Sequence, residues 1–430
     1  MHFQALHPSE QLLLMMQRIY HHGMTTTSGG NLSIKDENGD IWITPAGVDK
    51  GSLTSNDMVC VKADGRVVGI HKPSSEFPFH RRIYQTRPDL NAIIHAHPPA
   101  LVSFSIVRKI PDTRLLPNER RICGAVGMAT YALPGSEQLG KNIGDVFAIG
   151  INSVILENHG VVVGGLDLYE AFKSFETLDF CARLEIEATR IGKLTLLTDE
   201  DYELVRAKNS QLLPEYESES YSLAENQTRD EMCQFIQRAY RQGLFTSTQG
   251  TFSCRLSDSE FLITPSGLDR MYLEPSDLVK IRDGHAEAGK TPSASVVFHH
   301  EIYEQQSHVD SIILAHPPYV MAFAATLTPF DARTIPESYI LLREVPRLPF
   351  HAIYEDPWNT AARFGPGIPI AIVQNNCIVV TGQGLLNTFD RLEVAEYSAR
   401  SMLSARALGN VARIEDGHIN DLISAFNLPS

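Results

Sequence analysis

The chain has 430 residues, of which 43% are hydrophobic and 20% charged, and its formal net charge is −14. That length suits two domains of about 200 residues each, and the apolar fraction lets each of them bury a core. The interspersed, net-acidic charge excludes nucleic acid and anionic membrane as main partners, although a few local donors still suffice to bind one small anion.

The elements follow in chain order. The N-terminus MHFQALHPSEQ has no basic-then-apolar signal pattern, and no apolar run approaches the roughly 18 residues of a membrane span, so a soluble, cytoplasmic protein is expected. Ser9 is the expected N-cap of a first helix carrying Leu12, Leu13, Met15, Met16 and Ile19 at helical spacing, with Gly23 at its C-terminal end. Strands are expected at 31–34, 41–44 and 58–61, a helix at 79–85 ended by Arg87-Pro88, and a buried strand at 92–96 stopped by Pro98-Pro99. Two more strands, 153–156 and 161–163, flank the turn Glu157-Asn158-His159-Gly160, and a long helix runs from about Leu168 to Ile191. A polar stretch at 199–226 reads as the linker region, part of it helical, and a second opening helix follows at 230–240. The expected division is a domain at 1–205, a linker at 206–228 and a domain at 229–430. Helices and strands do not alternate strictly, so the fold class is α/β with a mixed sheet between helices rather than a doubly wound array. Cysteines 60, 123, 181, 233, 254 and 377 are scattered, as buried free thiols are and disulfide frameworks are not.

The chain repeats itself. QRIYHHG at 17–23 returns as QRAYRQG at 237–243, ITPAGVD at 43–49 as ITPSGLD at 263–269, and IIHAHPP at 93–99 as IILAHPP at 312–318. Pro73/Pro292, His80/His299, Tyr84/Tyr303 and His97/His316 share one common interval, the mark of a duplicated domain. The second copy shows which features the fold alone needs.

His95 and His97 lie two apart near a strand end, so both imidazoles share one face. With His159 from the turn they form a set of three imidazoles with an open fourth position, as in a catalytic zinc site. In the second copy His95 becomes Leu314 and His159 becomes Asn376, while His97 persists as His316. Joint loss is what one surrendered metal predicts; packed, hydrogen-bonded core histidines are the plainer alternative. His97 is the weaker member, since a bond to backbone explains its survival in both copies. Glu76, in Lys-Pro-Ser-Ser-Glu before the helix, becomes Ser295, lost from the same copy. Beside a metal such a carboxylate moves protons; otherwise it is a helix-capping glutamate. A third cluster is a possible anion cradle: the small polar run 27–31 with Ser28 and Asn31, the turn 44–47 with Gly47, and Ser74-Ser75 at a helix start.

SGGNLS, ITPAGVDKG, KPSSE, HAHPP and ENHG, in this order and spacing, resemble the class II aldolase/adducin family, which includes L-fuculose-phosphate aldolase-like enzymes. The resemblance covers about 9–193 and, more weakly, 229–407. It implies a three-layer α/β/α fold with a mostly antiparallel central sheet, in two tandem copies, the second degenerate. It implies a divalent metal, most readily zinc, on His95, His97 and His159, with Glu76 as a ligand at rest or the acid/base residue. It implies phosphate on Ser28, Asn31, Gly47, Ser74 and Ser75, and a small phosphorylated sugar as substrate. The activity it implies is a lyase that breaks or forms a C–C bond in a ketose phosphate through a metal-stabilised enediolate. A sugar-phosphate dehydratase, a 4-epimerase and, in another class, a non-catalytic adducin-like scaffold share the pattern; a His₃ hydrolase is a third class. The family's second acid is a tyrosine, for which Tyr131 is a candidate by proximity alone. Family assembly implies a homo-oligomer, here a dimer mimicking a four-domain ring, with one metal per chain.

Overall fold

The computed structural model describes residues 3–209, 213–217 and 220–428. The chain divides into two compact units, 1–113 with 118–183 and 114–117 with 184–430.

The strands of the first unit are β1 (Asn31–Lys35), β2 (Ile41–Ile43), β3 (Val59–Val61), β4 (Val67–Val68), β5 (Ala92–Ala96), β6 (Val126–Ala129), β7 (Ser153–Leu156) and β8 (Gly160–Gly165). They form one sheet in the order β4-β3-β2-β1-β5-β8-β7-β6. Every neighbouring pair is antiparallel except β6 with β7. The helices are α1 (Pro8–His21), α2 (Phe77–Thr86), α3 (Pro99–Ile106), α4 (Pro117–Cys123), α5 (Glu137–Ala148) and α6 (Leu168–Thr189). One apolar core joins Phe79, Ile83 and Tyr84 of α2 and Leu139, Ile143 and Phe147 of α5 to Ile93 and Val162 of the sheet. β5 and β8 are buried along their whole length, which suits unbroken apolar runs at the sheet centre.

In the second unit the strands are β9 (Glu215–Tyr216), β10 (Thr251–Arg255), β11 (Glu260–Ile263), β12 (Val279–Arg282), β13 (His285–Glu287), β14 (Ser311–Ala315), β15 (Arg347–Leu348), β16 (Ile370–Val373) and β17 (Cys377–Gly382). Their order is β15-β16-β17-β14-β10-β11-β12-β13-β9, the first sheet repeated with β9 added at one edge. Register repeats too: Asn31 opposes His95, and Thr251 opposes Leu314. Two tandem copies of one mixed, mostly antiparallel α/β fold are therefore visible strand by strand.

Several local expectations change. The N-cap of α1 is His7, not Ser9: the His7 Nδ1 accepts from the Ser9 amide, and Pro8 takes the first helical position, where its missing N–H costs nothing. Gly23 does adopt the left-handed conformation that closes the helix, at φ 68°. Pro98-Pro99 ends β5 but also starts α3 for the same reason that Pro8 starts α1. The stretch expected as linker holds a helix at Asp199–Asn209, the edge strand β9 and, from Leu223, the next helix, Leu223–Arg241; its residues 210–212 and 218–219 lie outside the described ones. All six cysteines are buried free thiols. No described helix is long and apolar enough to cross a membrane.

Candidate metal centre

β5 ends at Ala96, so His95 is its penultimate residue and His97 stands just past its end. The β7–β8 hairpin turns at Asn158, held at φ 53°, and its counterpart Asn375 has φ 48°. Asparagine tolerates this left-handed conformation, so both copies keep it for the turn. Because β8 runs antiparallel to β5 with Ala96 opposite Val161, the turn delivers His159 beside His95 and His97. One ring nitrogen of each of the three histidines lies within 4.8 Å of the others. The Nε2 atoms of His95 and His97 are 3.1 Å apart. His95 also places Nδ1 2.9 Å from the Val161 carbonyl, so Nδ1 donates there and Nε2 is the nitrogen that faces the cluster. Two glycines leave room for His97: a Cβ on Gly160 would stand 2.5 Å from its Cδ2, and one on Gly29 would stand 2.8 Å from its Nδ1.

Glu76 occupies the N-cap position of α2, yet its side chain makes no capping bond. It turns inward: Oε2 accepts from Asn31 Nδ2 at 2.8 Å and lies 3.1 Å from His95 Nε2. Oε1 is 3.5 Å from His159 Nε2 and has no hydrogen-bond partner. Burial works against the Glu76 charge, but the His95 imidazole, its hydrogen bond and the Asn31 amide outweigh it and hold the carboxyl well below the usual range. Burial, with His95 adding to it, pushes His97 down to about 3 and His159 to about 4, so both are neutral lone-pair donors at ordinary pH. Burial works against the His95 charge, but the Glu76 carboxylate, its hydrogen bond and the Val161 carbonyl outweigh it and raise His95, so this ring must give up a proton for an ion to bind. Three imidazoles and an unsatisfied buried carboxylate oxygen are a donor set that fits a divalent ion, with nitrogen ligands suited to zinc.

The cradle residues divide. Lys50 N–H to Thr27 O, Ala46 N–H to Lys72 O and Ser74 N–H to Thr44 O tie the loops around Ser28, Gly47 and Ser74-Ser75 together. Ser28, Gly47 and Ser75 are exposed on that rim, and Ser74 is buried with Oγ accepting from the Glu76 amide. Asn31 is 3% exposed, and its side chain is committed to Glu76 and His80. Tyr131 is exposed, and only its backbone N–H meets the site hairpin, at Glu157 Oε2. His80 and Ser33 carry no functional signal in the sequence; His80 stands out there only as a landmark shared by both copies.

Lys50 belongs to the ITPAGVDKG run. It is 3% exposed and gives its ammonium to the Pro45 carbonyl at 2.9 Å. Burial alone pushes it down to about 8 from 10.5. Between these pH values the unfolded chain holds a proton that the folded chain has released, so this residue's contribution to stability rises with pH and is lost as pH falls through about 8. Unfolding free energies of the parent and Lys50→Met across this window should shift in the parent's favour as pH rises; a pH-independent difference would contradict the burial of the charge.

The model of the class II aldolase and adducin N-terminal domain matches residues 10–186 and again 230–403. The chain belongs to this family, twice over. It is 32% identical to an L-fuculose phosphate aldolase of Methanococcus maripaludis over 40% of this chain and 93% of the relative. It is 30% identical to a 3-oxo-tetronate 4-phosphate decarboxylase of Haemophilus influenzae over 43% of this chain and 91% of the relative. Among solved structures, an L-fuculose 1-phosphate aldolase shares 32% identity, covering 46% of this chain and 93% of that one, at a TM-score of 0.42.

In the second unit of this class II aldolase-family chain the same place is filled differently. Leu314 stands for His95, and Ser295 for Glu76, with Ser295 bonded to Thr251. Asn376, in the place of His159, donates to the hydroxyl of the partly buried Tyr354 at 2.8 Å. Among the described residues the only three-donor metal cluster is that of His95, His97 and His159.

Proposed function

We propose that the chain is a metal-dependent lyase of the aldolase type, acting on a small ketose phosphate through the first unit alone. The observation that carries the reading is the convergence of Glu76 with His95 and His159, within 3.5 Å, on a cluster with no counterpart among the described residues of the second copy. His95, His97 and His159 would hold the divalent ion, zinc by preference. When bound, it supplies Lewis-acid stabilisation of negative charge developing on substrate oxygen, an effect worth several kcal/mol. The protein's own groups do the rest. Glu76, buried and ionised, would take the proton of the hydroxyl whose carbon becomes the aldehyde; the C–C bond breaks with its electron pair passing to the fragment next to the carbonyl, and Glu76 returns the proton to that fragment. The loops of Ser28, Gly47, Ser74 and Ser75 offer hydroxyls and backbone N–H groups to the phosphate, and Ser74-Ser75 lie just before the positive end of α2.

A second reading is decarboxylation of a phosphorylated 3-oxo acid, favoured by the similarity to the decarboxylase named above. It breaks a C–C bond with the same charge build-up, so the same residues serve it. Dehydratase and 4-epimerase chemistry on the same site are further members of the proposal. A panel of ketose phosphates, aldehyde plus dihydroxyacetone phosphate pairs and phosphorylated 3-oxo acids, with and without chelator, separates them. Chelator-sensitive cleavage of a ketose phosphate supports the aldolase; chelator-sensitive carbon dioxide release supports the decarboxylase; turnover indifferent to chelator overturns both.

A further inference from the structure

Behind Glu76 runs a buried line of polar side chains that the mechanism above does not use. Tyr84 OH meets Ser33 Oγ at 2.8 Å, and Ser33 Oγ meets His80 Nδ1 at 2.7 Å. His80 Nε2 meets Asn31 Oδ1 at 2.5 Å, and Asn31 Nδ2 meets Glu76 Oε2 at 2.8 Å. The proton positions follow from the far end. An ionised carboxylate only accepts, so Asn31 turns its NH₂ to Glu76 and its carbonyl to His80. His80 must then donate from Nε2, and its Nδ1 must accept from the Ser33 hydroxyl. Ser33 in turn accepts from Tyr84. Every proton in the line points toward Glu76. His80 is 0% exposed, and a neutral ring is what this line requires of it.

The second unit holds the control. Tyr303, Ser253 and His299 repeat the first part of the line, both contacts at 2.7 Å. Thr251 replaces Asn31 and bonds Ser293 at 2.6 Å instead. His299 Nε2, fully buried, is left with no hydrogen-bond partner. So the Tyr–Ser–His part belongs to the fold, which keeps it in both copies. The asparagine link exists only where there is a carboxylate to hold.

We propose that Asn31 is a positioning residue for Glu76, with its amide orientation fixed by His80, and that it leaves Oε1 as the working oxygen. Oε2 is held by Asn31 and faces His95, while Oε1 has no hydrogen bond and faces His159. This rests on the proposed role of Glu76, but half of its test does not. The second copy shows that this fold accommodates threonine at the position, so Asn31→Thr is the variant of choice.

Two measurements on the metal-free parent and variant need no turnover. Long-range ¹H–¹⁵N spectra should show His80 as the neutral Nε2–H tautomer in the parent. Competition with a chromophoric chelator should show zinc bound about 10- to 100-fold more weakly by Asn31→Thr, the usual effect of removing a partner behind a metal site. On whatever substrate the parent turns over, kcat should fall by about the same factor with KM nearly unchanged. A His80 Nδ1–H tautomer in the parent would overturn the proton ordering, and an Asn31→Thr protein with parental zinc affinity and kcat would overturn the positioning role. If no ketose phosphate is a substrate, the spectra and the zinc affinity still decide.

Discussion

The Glu76→Gln protein is expected to retain its divalent ion and to lose turnover by about 10²- to 10⁴-fold, the range for removing a positioned acid/base group. At about 1.4 kcal/mol per factor of ten, that is about 3–5 kcal/mol of barrier. Glutamine keeps the length and shape of the side chain, so the packing of α2 is undisturbed. It removes the buried negative charge between His95 and His159 and supplies no group that can take a proton. Elemental analysis of the purified variant beside its kcat checks the claim. Turnover at the parental rate would sink the acid/base role. Loss of ion and turnover together would assign Glu76 to holding the metal.

The second large effect lies in the other unit. Arg229, on the helix Leu223–Arg241, is 0% exposed. Its guanidinium bonds Glu225 at 2.8 Å, Glu287 at 3.3 Å and the Leu278 carbonyl at 2.6 Å, and it stacks 3.8 Å from the Tyr221 ring centroid. Arg229→Ala takes one cation from both buried glutamates, while Glu225 keeps Lys280 and Glu287 keeps Lys290, each at 3.1 Å. Losing charge-assisted hydrogen bonds of this kind costs about 1.5–3 kcal/mol, below the about 3–5 kcal/mol of a buried charge left with no partner. A two-unit chain need not unfold in one step, so the probe matters. Trp42 lies in the first unit and Trp358 in the second. In a Trp42→Phe background, Trp358 fluorescence during urea unfolding reports the second unit, and a loss below about 1 kcal/mol would contradict the argument, being the worth of an exposed pair.

Most of the fold was legible because the duplication did the work of a comparison. β5 and β7 fell at their expected bounds, since both are apolar runs between turn residues. β4, α3, α4, β6 and α5 were missed. β4 has two residues, both exposed, and carries no burial pattern. α3 hides behind a Pro-Pro pair that reads as a stop, although proline at the first helical position is also a start. The histidines and Glu76 were legible because the second copy lost their equivalents. Asn31 was legible only as a residue of interest. Its direction, inward to Glu76 and His80 rather than outward to an anion, depends on the cross-strand register with His95, which no local pattern reveals. His80 was obscured by the same logic that exposed the others: it survives in both copies, because Ser33 and Tyr84 hold it for the fold whether or not Asn31 stands beyond it.

The central claim is one live metal site per chain, in the first unit, and the zinc content of the purified chain tests it most directly. The parent should carry one zinc per chain, and His159→Asn, which copies Asn376 of the second unit, should carry none after brief dialysis against a weak chelator. Two zinc ions per parent chain, none at all, or one that persists in His159→Asn would contradict the account.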